Sequence, residues 1–256
     1  MNNGGRYSFL GFQPKKEITC LNHVLKIKDL ESGMIDTQYA EHPSGDLRKL
    51  LEEYKSPQIE SLPPFTGGLV GYFSYDYIKY SEPKLSLKHP AEFNDMDLML
   101  FDSVICFDHY KQKLILITGC NTSDIEHSYE EARHTLLTIK NLLKNGKKKN
   151  FEPLVLQSRI TPKLPKESFI EIVEKAKYYI HEGDIFQVVL SNPLHAKAKG
   201  SLLDTFRVLR ASNPSPYMFY FSSDDIELTG ASPETLVKLD NKSSLPSLLL
   251  VHLLEV

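Results

Sequence analysis

The chain has 256 residues, 41% of them hydrophobic and 25% charged, which is enough apolar material for one or two domains with a real core and excludes a disordered chain. A formal charge of −3 offers no excess of positive field to a polyanion, and the trio Lys147, Lys148 and Lys149 reads as a solvated linker, so no nucleic-acid partner is expected. The start lacks a basic segment followed by an apolar stretch, no uncharged run is long enough to span a bilayer, and Cys20, Cys106 and Cys120 lack the CxxC spacing of a zinc site. These features lead us to expect a cytoplasmic chain with buried free thiols and no membrane contact.

Short apolar runs broken by turn residues fill the first part and argue for antiparallel strands rather than βαβ units. Arg6 to Phe12 and Ile18 to Ile27 each read as one strand. A helix is predicted over 46–54, because Leu47, Leu50 and Leu51 share a face and Ser44 or Gly45 can cap its start. Gly67-Gly68-Leu69-Val70-Gly71-Tyr72 lacks the spacing of a nucleotide loop; inside an apolar, aromatic run its glycines read as points of close backbone packing. Leu98 to Phe107 and Leu114 to Thr118 read as a hairpin around the polar residues 108–112. Ser123-Asp124-Ile125-Glu126 has the form of a capping box, and its helix should run to Asn145 and stop at Gly146.

The basic cluster and prolines of 147–165 mark a passage between domains, which places a boundary near residue 150 and divides the chain into 1–150 and 151–240. Beyond it Phe169, Ile172, Val173, Ala176 and Ile180 recur at helical spacing up to Gly183, and the β-branched run Ile185 to Leu190 should follow as a strand. Ser201 to Asp204 opens another capped helix that ends before Pro214. Tyr217 to Phe221 and Ile226 to Thr229 then form a second hairpin around residues 222–225. None of the nine histidines is given a catalytic role; His181 near a helix end reads as a helix-end charge.

No phosphate-binding loop, HExxH helix or GxSxG elbow is present. Five ordered segments stand out instead: Gly5 to Gly11, Gly67 to Asp76, Gly183-Asp184-Ile185-Phe186-Gln187-Val188-Val189-Leu190-Ser191, Asn213-Pro214-Ser215-Pro216-Tyr217-Met218-Phe219-Tyr220, and Gly230 to Glu234. In order and spacing they resemble the large subunit of anthranilate synthase, over residues from about Gly5 to Asp240. The resemblance implies an α+β fold of two antiparallel sheets stacked face to face with helices outside, of which this chain supplies only part. It implies a lyase that converts chorismate and ammonia to anthranilate and pyruvate in tryptophan biosynthesis, with Mg²⁺ on the substrate, a glutamine amidotransferase subunit as partner, and L-tryptophan as inhibitor.

Related water-using chorismate enzymes carry a Lys where this chain has Gln187. A Gln cannot act as general base, and neutral ammonia needs positioning more than deprotonation, so Gln187 fits the ammonia-using branch. By resemblance Pro216, Tyr217 and Met218 belong to the tryptophan feedback pocket. Two prolines stiffen that turn, and a ring with a thioether suits an indole; the same residues also suit a proline-rich turn entering a strand. Ser232-Pro233-Glu234 reads equally as a family turn or a capped loop.

The family's metal-binding glutamates and its remaining catalytic groups belong downstream, so the resemblance places no metal ligand and no further catalytic residue in this chain and leaves it inactive on its own. The start, too, is expected to fall after a family segment whose Ser binds tryptophan. After Asp240 the expected family sequence is absent as protein. Read one base out of frame, codons for Leu245 to Val256 can encode Thr-Phe-Pro-Ile-Ala-Gly-Thr-x-Pro-Arg-Gly, with only x, at His252 and Leu253, departing from the family. Residues 241–256 are therefore read as a frame-shifted tail. Strands left without partners should give poor solubility or self-association. The alternatives are a non-catalytic remnant that at most binds the glutaminase subunit, and a portion of the folate-pathway relative, aminodeoxychorismate synthase.

Overall fold

β1 (Tyr7–Leu10) is followed by β2 (Lys16–Leu21) and β3 (Val24–Asp29), and the turn between the last two is set by Asn22 and His23, with φ of 48° and 68°. A two-residue loop with both central φ positive matches the twist of the flanking strands, so the run predicted as one strand over 18–27 is a hairpin. The computed structural model describes residues 5–82, 84–85, 93–240 and 243–246. It comprises two compact units, Met1–Lys148 and Lys149–Val256.

In the first unit the chain continues through β4 (Ile35–Tyr39), α1 (Pro43–Glu53), β5 (Gly68–Phe73), a 3-10 turn at Tyr75–Tyr80, β6 (Met96–Phe101), β7 (Ser103–Asp108), β8 (Lys113–Thr118) and α2 (Ile125–Asn145). Five strands form one antiparallel sheet in the order β4-β3-β2-β6-β5, and three form another in the order β1-β7-β8. The run predicted as a single strand over 98–107 is thus two, in different sheets, separated at Asp102. Register places Ile18 opposite Ile27 and Leu98, and Cys20 opposite Leu25 and Met96. This period-2 face packs with Leu47 and Leu50 of α1, and Ile18, Leu25, Met96 and Leu100 are wholly out of water. Each such side chain contributes about 1.5–3 kcal/mol relative to exposure. Val104, Ile105 and Cys106 of β7 are also buried, as are Ala132 and Ile139 of α2, which packs on β8.

Helix ends differ slightly from the sequence reading. α1 starts at Pro43, whose fixed φ suits the first turn, and neither Ser44 nor Gly45 caps it. α2 is capped by Asp124, which accepts from the His127 N–H, one residue after the predicted Ser123, and it stops at Gly146 as expected. Cys20 and Cys106 are buried, whereas Cys120 follows β8 and is exposed.

Arg6 ties β1 to the β7–β8 turn. Its guanidinium donates to Asp108 Oδ2 at 3.0 Å, while the Tyr110 and Lys111 N–H groups donate to Asp108 Oδ1 at 3.0 Å each. The Arg6 hydrogen bond, followed by these backbone donors, holds the Asp108 carboxyl down at about 2 from its ordinary 3.8. A folded pKa below the unfolded one stabilises fully above the unfolded value, and that contribution disappears as pH falls from about 4 through about 2. We expect Asp108→Asn to flatten the acid limb of urea-unfolding midpoints between pH 5 and 2. Some slope should persist, because Asp29, held near 2 first by the Ser32 N–H and hydroxyl and then by Lys16, still titrates.

The second unit holds β9 (Val155–Leu156), β10 (Thr161–Pro162), α3 (Lys166–His181), β11 (Leu194–His195), β12 (Ala198–Lys199), α4 (Leu203–Ser212), β13 (Tyr217–Ser222), β14 (Glu227–Ser232), β15 (Val237–Asp240) and β16 (Ser243–Pro246). They pair only as two-stranded ladders, β10-β11, β12-β9, β13-β14 and β15-β16. Residues 243–246 of the tail therefore pair with 237–240, while 241–242 and 247–256 lie outside the described residues. The strand predicted over 185–190 does not form. A strand needs a neighbour for its N–H and C=O groups, and among the described residues none is placed beside it.

Candidate functional site

Two polar clusters and one bare segment are the places where chemistry could reside. In the first unit the 3-10 turn carries Lys79 and Tyr80 to the buried Asp95. Lys79 Nζ meets Asp95 Oδ1 at 2.7 Å, and Asp95 Oδ2 accepts from the Tyr80 hydroxyl at 2.7 Å and from the Asn22 N–H at 2.8 Å. The Tyr80 oxygen in turn takes the His23 N–H at 3.0 Å and lies 3.2 Å from Cys20 Sγ. Burial pushes both the Cys20 thiol and the Tyr80 phenol up, so neither ionises near neutrality. With no activated nucleophile, the cluster acts as a latch between the β2–β3 turn and the 3-10 turn.

In the second unit Gly183 takes φ 82° and closes α3, as C-terminal glycines do. The chain then runs through 185–190 without a strand partner, and Phe186 is 98% and Val189 83% exposed. Gln187, in this segment, is exposed.

β13 and β14 join the motif at 213–220 to that at 230–234, with Tyr217 opposite Ser232 and Met218 opposite Ala231. Adjacent strand residues point to opposite faces. Met218 shares a face with Tyr220, whose ring lies 6.2 Å from that of Phe206 on α4. Tyr217 shares the other, more open face with Phe219, and its hydroxyl bonds Thr235. Pro216 is exposed in the bend before the strand. The phenylalanine ring at 219 lies across Gly230, where a Cβ would come within 2.6 Å of it. Ser232 closes a local turn by accepting from the Glu234 N–H at 3.3 Å and donating to the Glu234 carbonyl at 3.1 Å.

The residue that the sequence reading missed is Glu227. Its Oε2 accepts from the Leu202 N–H at 2.6 Å, and its Oε1 accepts from the Ser201 and Tyr220 hydroxyls at 3.0 Å each. Ser201 also accepts from the Leu203 N–H at 3.1 Å, but the predicted cap is not at the N-cap position, which Leu202 occupies without a side-chain bond, and the Glu227 carboxylate serves the positive end of α4 instead. We expect Glu227→Ala to speed amide exchange at Leu202 and Leu203 by about tenfold, the equivalent of a lost cap, and Glu227→Gln to have a smaller effect.

The sequence pattern of the chorismate binding enzyme family matches residues 3–245. The chain belongs to the chorismate-binding enzyme family. It is 36% identical over 259 aligned residues to anthranilate synthase component 1 of Acinetobacter calcoaceticus, covering 93% of this chain and 50% of that protein. With anthranilate synthase component 1 of Aquifex aeolicus it shares 35% identity, over 92% of this chain and 48% of that one. The crystal structure of anthranilate synthase component I from Streptococcus pneumoniae superposes with a TM-score of 0.74 at 31% identity, over 93% of this chain and 52% of that chain. The chain therefore spans about half the length of the curated relatives it matches. Its mixed helices and several antiparallel sheets agree with that structural neighbour. Among the described residues no group of three or more His, Cys, Asp and Glu side chains could hold a metal ion, so no step through Mg²⁺ is assigned to them. No helix among them is long and apolar enough to cross a membrane.

Proposed function

We propose that this chain is a portion of the chorismate-converting subunit of an anthranilate synthase. The observation that carries this reading is the match to anthranilate synthase component 1 over nearly the whole of the chain, at 36% identity and 93% coverage. In the proposed reaction ammonia adds at C2 of chorismate with loss of the 4-hydroxyl as water, and elimination of pyruvate then leaves anthranilate. Mg²⁺, held by residues beyond those described, would anchor the substrate carboxylate and offset developing charge.

Within this reading Gln187 is a positioning group for ammonia or the ring, since an amide can donate and accept but cannot deprotonate water. Pro216 and Met218 form one side of a tryptophan feedback pocket. Tyr217 belongs to the same side of that pocket, and its hydroxyl bond to Thr235 holds the hairpin end. Ammonia comes from a glutamine amidotransferase subunit.

The test joins residues 1–240 to the part of an anthranilate synthase component 1 that this chain does not span and assays the product with chorismate, ammonia and Mg²⁺. Anthranilate fluorescence, absent from the 256-residue chain alone and lost on chelation, is the expected result. Formation of aminodeoxychorismate instead would assign the chain to the folate branch and refute the reading.

A further inference from the structure

β4 is the outer strand of the five-stranded sheet, with β3 on one side and, among the described residues, no strand on the other. All five of its residues, Ile35-Asp36-Thr37-Gln38-Tyr39, are exposed. Natural sheets blunt such an edge with a lysine, a proline or a bulge, because its unpaired backbone groups invite another strand. β4 carries none of these: its register with β3 runs unbroken from Ile35 opposite Lys28 to Tyr39 opposite Val24. The bonds just beyond its ends fix where its free backbone groups point. The Asp29 N–H donates to the Met34 carbonyl and the Ala40 N–H to the His23 carbonyl, at 2.8 Å each. Bonded and non-bonded pairs alternate along an antiparallel ladder, so 34, 36, 38 and 40 turn their backbone groups to β3, while Ile35, Thr37 and Tyr39 turn theirs outward.

The side chains of Ile35, Thr37 and Tyr39 also share one face. Ile35 is 59% and Tyr39 73% exposed, and the Tyr39 ring is kept in place by stacking on His23 at 5.4 Å. What such an edge accepts is set by its own sequence, which is complementary to itself in antiparallel. With Thr37 opposite Thr37 of a second copy, Ile35 meets Tyr39 and Asp36 meets Gln38 on each side of a two-fold axis. The pairs 35 with 39, 37 with 37 and 39 with 35 are then all of the doubly hydrogen-bonded kind. An aromatic ring meets a β-branched side chain on one face, and on the other the Gln38 amide donates to the Asp36 carboxylate, so no like charges oppose each other. A slip of one residue sets Asp36, whose backbone groups point inward, against the outward groups of Thr37, and the ladder is lost.

We infer that β4 is a self-pairing edge whose occupant is β4 of a second copy of this chain, antiparallel about a two-fold axis at Thr37. The interface is isologous and closes after two chains, which distinguishes it from open-ended aggregation. It joins two five-stranded sheets into one and does not depend on the proposed function. A contact of five residues a side is small, so the dimer is weak and half-formed at about 10–100 µM.

The test is sedimentation velocity of the 256-residue chain across that concentration range. A reversible equilibrium ending at twice the 29.2 kDa of one chain is expected. As concentration rises, amide exchange should slow by about tenfold at Ile35, Thr37 and Tyr39 and stay unchanged at Asp36 and Gln38, which β3 already protects. Thr37→Pro removes an outward N–H, and an edge strand tolerates proline where that side faces water. It should abolish the dimer and leave the circular dichroism of the chain unchanged. Ile35→Glu combined with Tyr39→Glu sets like charges opposite each other across the axis and should weaken the dimer at least about tenfold, whereas Ile35→Glu combined with Tyr39→Lys sets opposite charges there and should restore it. That rescue is a result a misfolded variant cannot give. A chain that stays monomeric throughout, a dimer indifferent to Thr37→Pro, or two charge variants that behave alike overturns the inference.

Discussion

Replacing Asp95 by Ala is expected to cost the first unit about 3–5 kcal/mol, the range for removing one partner of a buried ion pair. Asp95 is fully buried and serves three donors, and its loss leaves the Lys79 ammonium, whose side chain is only 16% exposed, with the neutral Asn22 Oδ1 at 2.9 Å in place of a carboxylate. It also leaves the Tyr80 hydroxyl and the Asn22 N–H without their present acceptor. The residual exposure of Lys79 gives that charge a path to solvent, which argues for the lower part of the range. Asp95→Asn keeps the shape and one acceptor oxygen and should cost less. Tyr80→Phe leaves the ion pair in place and should cost about 1–2 kcal/mol for the lost hydroxyl bonds. Because both changes act on one network, the double variant should lose less than the sum of the singles. The chain has no tryptophan, so urea unfolding is followed by far-ultraviolet circular dichroism. An Asp95→Ala chain with an unchanged midpoint would show that the latch contributes nothing.

The same cluster shows how much of the fold was legible. α2 and α3 could be read because their signals are local: a capping segment at 123–126, off by one residue at Asp124, and Gly146 for one, and apolar spacing up to Gly183 for the other. The β2–β3 turn was hidden because its positive-φ residues are Asn22 and His23, with no glycine to mark them. The single break at Asp102 left no trace either, since its flanks are equally β-rich although they enter different sheets. The strand expected over 185–190 does not form, since a β-rich run makes a strand only where a neighbour can pair with it, which local sequence cannot reveal. The candidate site was legible only through resemblance: nothing in the spacing of Gln187, Pro216, Tyr217 and Met218 names a substrate. Glu227 escaped notice because it caps α4 from 25 residues away. Arg6, by contrast, belongs to a motif that carried the resemblance, and its structural work, the bidentate grip on Asp108, explains why an arginine stands there.

Gly71→Ala should be the most damaging single methyl that the first unit can receive, at about 3 kcal/mol or more. A Cβ at this position would lie 2.0 Å from the Asp97 carbonyl oxygen and 2.8 Å from the Leu98 Cα. Both atoms are backbone, so no rotamer change relieves the clash, and overpacking that must move backbone exceeds the usual 1–3 kcal/mol. β6 cannot retreat: it is hydrogen-bonded to β2 on one side and β5 on the other, and five of its six residues are buried. The relief must come from β5 pulling away, which breaks the pairing of Val70 with Met99 and Tyr72 with Asp97. Gly45 of α1 is the matched control, since an added Cβ there meets nothing within 4 Å. Gly45→Ala should instead stabilise the unit by about 0.5–1 kcal/mol through lower backbone entropy in the unfolded chain. Opposite signs for two identical substitutions would place the effect at the β5–β6 contact, whereas a Gly71→Ala chain as stable as the parent would refute the register of that pair.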